Sequence, residues 1–149
     1  SVTYVGTGEE ARLVKIYHNI ILGIYTQALA EILVLGEKGG VKREAIMEFI
    51  NSSVMGCMFS HYKTPALVNL DFNPTFTPVL LRKDFDLGLT EADKHEVPMP
   101  ITNLVRDIVE SCIDRGYAED DFSTMLLIAA ANAGVTLTSE SADVKDGLN

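Results

Sequence analysis

Lys15, His18 and Asn19 stand within the short stretch "KIYHN", at the head of a long apolar run. On a helix, residues four apart share a face, so Lys15 and Asn19 point the same way with His18 beside them. A lysine can exchange a proton with a substrate oxygen, and an adjacent amide can fix that substrate. Those types suit alcohol–carbonyl redox chemistry. Each also has a structural reading: a solvated lysine, a surface amide, and a ring satisfied by backbone.

A second group lies in "FTPVLLRKDFDLGL", Phe76 to Leu89. Lys83 and Asp84 are neighbours and point about a quarter-turn apart on a helix. Their structural reading is a helix-face ion pair, worth little to stability; that of Phe76 is core packing. The aspartates of "DRGYAEDDFS", Asp114 to Ser123, fit a helix stop followed by a capped new start. Cys57 and Cys112 form no CxxC pair and have no histidine cluster, which argues against a zinc site, and no metal is expected. Two buried thiols in a reducing compartment are expected instead.

Composition narrows the class. The 149 residues suit one domain with a real core. Apolar content of 47% with 22% charged residues describes a folded globular chain. A net charge of −9 with no basic run argues against nucleic-acid and membrane partners. No signal-peptide pattern opens the sequence, and the run Ile20–Tyr25 is too short to span a bilayer, so a cytoplasmic location is expected.

These side chains must be positioned by helices. Glu9 to Gly36 reads as one long helix, with Ala11, Val14, Ile21, Ala28, Ile32 and Leu35 at helical spacing. Its centre is apolar on nearly every side, which predicts a central helix or a subunit interface. Gly39–Gly40 ends it. Further helices are expected over 42–51, in one or two short pieces over 57–70 around Pro65, and over 79–95, 102–115 and 121–133. Thr77–Pro78 is a helix start after the ordered loop from Asp71. No stretch alternates like a strand. The expectation is therefore an all-α, multi-helix domain over 1–138 built round one long N-terminal helix, with a flexible tail over 139–149.

Five stretches, in order, resemble the C-terminal helical domain of the β-hydroxyacid dehydrogenases, the 3-hydroxyisobutyrate dehydrogenase-like family, which is built like the C-terminal domain of 6-phosphogluconate dehydrogenase-type enzymes. They are "KIYHN", "ALAEILVLGEKGGV", "DFNPTFTPVLLRKDFDLGL", "VPMP" and "GYAEDDFS". The resemblance implies Lys15 as catalytic lysine, Asn19 with His18 as substrate-binding, and Lys83, Asp84 and Phe76 toward a nicotinamide cofactor. It implies NAD or NADP, held mainly by an N-terminal dinucleotide-binding domain that these residues do not include. It further implies a small hydroxyacid or semialdehyde substrate and a homo-oligomer. The related 6-phosphogluconate dehydrogenases carry a glutamate acid where this chain has Leu22, which argues against sugar-acid decarboxylation. The alternative is a non-catalytic helical dimerisation module of the same descent.

Overall fold

The computed structural model describes residues 2–148; Ser1 and Asn149, the outer ends of the expected domain and tail, lie outside it. Six helices follow one another: α1 (Glu10–Lys38), α2 (Arg43–Ser52), α3 (Met58–Asn69), α4 (Pro78–Lys94), α5 (Pro100–Asp114) and α6 (Met125–Asn132). A 3₁₀ turn, Phe122–Thr124, leads into α6. No strand occurs among the described residues, so the fold is all-α.

The helix ends follow local chemistry. Thr77 caps α4 by accepting a hydrogen bond from the Leu80 amide at 3.4 Å, and Pro78 takes the first helical position, where its missing N–H costs nothing. After α1, Gly40 adopts φ +80°, which a side chain would strain. Pro65 lies inside α3, which is one helix rather than two. The proline removes one backbone bond, and Phe59, Ala66, Leu67 and Val68, buried on both sides of it, hold the turns together.

α1 feeds both parts of the core. Ile16 and Ile20 join Leu81, Phe85, Val105, Val109 and Phe122. Leu29, Ala30, Leu33 and Val34 join Met47, Leu67, Val68 and Leu126. The periodic set read from the sequence lies elsewhere: Val14, Ile21, Ala28, Ile32 and Leu35 are exposed. The buried stripe is a different one, and a helix apolar all round left periodicity unable to choose between them. By length and composition alone α1 could cross a bilayer, yet half of its most apolar window is buried by the other helices.

α1 and α4 run antiparallel, because Gly23 meets Leu81 and Phe85 while Gly88 meets Ile16 and Ile20. A Cβ at Gly23 would sit 2.6 Å from the Phe85 ring, and one at Gly88 would collide with the Ile20 side chain. The two glycines set how closely these helices approach.

In the segment after α6, expected from 139 on as a flexible tail, residues 138–142 are hydrogen-bonded to the helices. Glu140 accepts from the Arg43 and Glu44 amides at 2.8 and 2.9 Å, capping α2. Asn69 bonds both ways with the Ala142 backbone, at 2.9 Å each way. Fully buried Arg43 donates to the carbonyls of Leu67, Val68 and Thr138 and to Glu37. These bonds satisfy backbone groups of a polar segment that has no regular structure of its own.

Candidate active site

Lys15 and Asn19 rise one turn apart on α1, and both reach Asp84 of α4. Lys15 Nζ donates to Asp84 Oδ2 at 2.9 Å, and Asn19 Nδ2 donates to the same oxygen at 2.5 Å. The contact spans more than sixty residues of sequence and rests on the close α1–α4 approach. Asp84 is 7% exposed at its side chain, whereas Lys15 is 59% exposed. A buried carboxylate thus anchors a lysine whose ammonium faces solvent and can turn to another oxygen.

His18 joins at the far end of the amide. Its Nδ1 lies 3.2 Å from Asn19 Oδ1. Since Asn19 uses its NH₂ on Asp84, its oxygen faces His18 and can only accept, so this contact needs the proton on Nδ1. The ring itself is exposed. The line His18–Asn19–Asp84–Lys15 is continuous.

The other candidates stand apart from that line. Lys83 is exposed and lines a groove of about 400 Å³ on the outer side of α4, with Val79, Leu80, Arg82, Asp86 and Leu87. Asp84 faces α1 rather than that groove. Phe76 is half-buried and meets Phe122 edge-on, centroids 6.0 Å apart.

A second lysine–aspartate pair was not singled out in the sequence. Lys63 and Asp121 are sealed, with side-chain exposures of 3% and 1%. Lys63 Nζ donates to both Asp121 oxygens, at 2.7 and 2.6 Å, and to Thr75 Oγ1 at 2.8 Å. Asp121 also accepts from the Thr75 and Ser123 amides at 3.0 Å each and from the Phe76 amide at 3.4 Å. The Ser123 bond is the helix-start cap expected of the "EDDFS" aspartates. The Lys63 ammonium lies 4.5 Å from the centre of the Phe122 ring. Burial lowers the Lys63 pKa, and Asp121 offsets this only in part. Burial pushes Asp121 up, but Lys63 and Ser123 outweigh it and hold the carboxyl below its ordinary value. This network pins the loop that carries Phe76. The available signal was "DDFS", a cap whose partner lies on another helix.

Cys112 is buried, and burial pushes its thiol up to about 11. Cys57 is exposed at the start of α3, which corrects the expectation of two buried thiols: a residue before the first turn has no helix face to turn inward. No metal-binding group of His, Cys, Asp and Glu occurs among the described residues.

Residues 8–129 match the family described as NAD-binding of NADP-dependent 3-hydroxyisobutyrate dehydrogenase. The chain belongs to that family. It is 30% identical over 138 residues to a 2-(hydroxymethyl)glutarate dehydrogenase of Eubacterium barkeri, covering 92% of this chain and 46% of the relative. It is 27% identical over 131 residues to the mitochondrial 3-hydroxyisobutyrate dehydrogenase of Drosophila melanogaster, covering 83% and 40%. A cytokine-like nuclear factor N-PAC of Aedes aegypti is 25% identical over 126 residues, 85% of this chain and 22% of that protein. The fold also matches a solved Mycobacterium tuberculosis 3-hydroxyisobutyrate dehydrogenase with L-serine. The TM-score is 0.76 at 23% identity, over 86% of this chain and 46% of that one. The chain spans about half the length, or less, of the relatives it matches.

Proposed function

We propose that this chain is the helical, substrate-facing part of an NAD(P)-dependent oxidoreductase acting on a small β-hydroxyacid or the corresponding semialdehyde. The observation that carries this reading is the convergence of Lys15 and Asn19 on Asp84, with the lysine open to solvent. A substrate oxygen could replace the Asp84 oxygen as acceptor for Lys15. In reduction, the Lys15 ammonium donates a proton to the carbonyl oxygen; in oxidation, its neutral amine takes the hydroxyl proton. Asn19 orients the same oxygen through its NH₂, and His18 fixes the amide from behind. The nicotinamide supplies or accepts the hydride when it is bound.

What this chain offers a dinucleotide is limited and specific. The described residues hold no strand to lead a glycine-rich phosphate turn into a helix, so the pyrophosphate is assigned to a separate domain of a longer parent. Lys83 and Phe76 are assigned to the cofactor side on the family resemblance; in this fold they stand apart from Lys15 and Asn19. The choice between NAD and NADP belongs to that other domain. The exposed apolar face of α1 supports a homo-oligomer.

The test is a panel of small hydroxyacids and semialdehydes, assayed with both cofactors on the full-length protein and on its Lys15→Ala variant. Turnover of one class, lost in the variant, supports the reading. A variant that matches the parent on its best substrate overturns it. The second reading, a dimerisation module without catalysis, draws on the relative named as a nuclear factor rather than a dehydrogenase; it expects no turnover from either protein.

A further inference from the structure

The exposed stripe of α1 has an internal symmetry. Ile21 and Leu35 lie seven residues on either side of Ala28, and Ile24 and Ile32 lie four on either side. Ile21, Ile32 and Leu35 are 62%, 50% and 68% exposed, Ala28 is exposed, and Ile24 is half-buried. Seven residues are two helical turns, so Ile21, Ala28 and Leu35 form one ridge with a small residue at its midpoint. A pattern that reads the same in both directions fits its own copy running antiparallel.

We propose that two copies of this chain pack α1 against α1 across a two-fold axis at Ala28. This rests on the homo-oligomer reading above and adds its register. Ile21 meets the partner's Leu35, Ile24 meets the partner's Ile32, and Ala28 meets the partner's Ala28. The small central residue lets the helices approach, as an isologous contact requires.

Charge selects the same occupant. The chain carries −9, so two copies repel over most of their surfaces. From Ile21 to Leu35, α1 carries a single formal charge, Glu31, and this is where they can meet. Antiparallel helices also oppose their dipoles favourably.

The area argument extends the contact beyond the ridge. From Ile21 to Leu35 the helix rises ~21 Å and presents a strip ~10 Å wide, or ~200 Å². A stable dimer needs about 800 Å² per partner. The remainder is at hand beside the ridge. Exposed Val54 and Met55 form one groove with Ile21 and Ala28, and exposed Leu104 forms another with Val34 and Leu35. The second groove also holds Gln27, whose Oε1 is buried with no hydrogen-bond donor. A partner that closes this groove can supply that donor.

The experiment uses the 149-residue chain with Cys57→Ser, to remove the exposed native thiol. Ala28→Cys should cross-link to itself under mild oxidation. Ile21→Cys and Leu35→Cys should cross-link when mixed and far less when alone. Ala28→Arg should convert the sedimenting species to monomer with unchanged helical circular dichroism. A chain that sediments as a monomer at ~100 μM overturns both the register and the oligomer. A dimer that Ala28→Arg leaves intact, and that does not cross-link at residue 28, overturns the register alone.

Discussion

Two lysine–aspartate pairs link distant segments of this molecule, and they differ in nearly everything but residue type. Lys63 and Asp121 are sealed, and every oxygen of the carboxylate is engaged. Lys15 and Asp84 share only the buried carboxylate; the lysine stands in solvent and makes one bond. An ion pair that is enclosed and saturated holds loops in place, because breaking it strands a charge away from water. An ion pair with one open partner costs little to break, and its cation is free to serve a ligand. The first pair therefore serves architecture, and the second is where we propose the chemistry.

The largest expected difference is in turnover. In the full-length protein, Lys15→Ala should lower kcat by ~10²–10⁴-fold, the usual contribution of a general acid–base group, with cofactor KM nearly unchanged. Lys83→Ala should instead raise the cofactor KM. Steady-state kinetics on both variants checks the division; a Lys15→Ala defect confined to KM would break it.

Stability should respond in the opposite order. Lys63→Met leaves Asp121 buried without its cation and should cost ~3–5 kcal/mol in denaturant unfolding. Adding Asp121→Asn should recover part of that, since the backbone donors of Thr75 and Ser123 then face a neutral acceptor. Lys15→Met removes a mostly exposed lysine but leaves buried Asp84 with the Asn19 amide alone, so it should cost ~1–2 kcal/mol, less than Lys63→Met. Equal losses from Lys63→Met and Lys15→Met would erase the contrast.

The crossing that makes the open pair can be tested separately. Gly88→Ala puts a methyl into the Ile20 side chain and should cost ~1–3 kcal/mol. It should also push α4 from α1 and weaken the reach of Lys15 and Asn19 to Asp84. A thermal melt and a kcat measurement on the same variant check both effects.

The smallest effect is in acid. The folded carboxyl of Asp121 lies below its unfolded value, so its contribution to stability is full above the ordinary carboxylate range and is lost as pH falls through the depressed value. Lys63 is lowered too, but its window is alkaline, so it does not mask this slope. Unfolding midpoints measured downward from neutral pH should fall less steeply in Asp121→Asn than in the parent chain.

How much was legible varies by residue. The shared face of Lys15 and Asn19 was legible because four-residue spacing fixes it whatever the rest of the chain does. Thr77–Pro78 and Gly40 marked helix ends because capping and left-handed backbone are local needs. Lys63 and Arg43 were missed because a lone charged residue in a helix reads as surface; only the carbonyls and carboxylate that enclose it, supplied by distant segments, make burial tolerable.

The sequence by itself determined an all-helical chain, the extents of its helices to within a residue or two except the last, whose expected start at 121 falls at the 3₁₀ turn before α6, and the shared face of Lys15 and Asn19. All of these follow from a 3.6-residue repeat and its end signals, which act over one or two turns. Tertiary structure decided which stripe of α1 is buried, that Asp84 rather than Lys83 meets Lys15, and that residues 140–142 dock on α2 and α3. Those outcomes depend on helix crossings set by side chains far apart in sequence, such as Gly23 against Phe85 and Gly88 against Ile20. No local pattern contains both partners of such a contact.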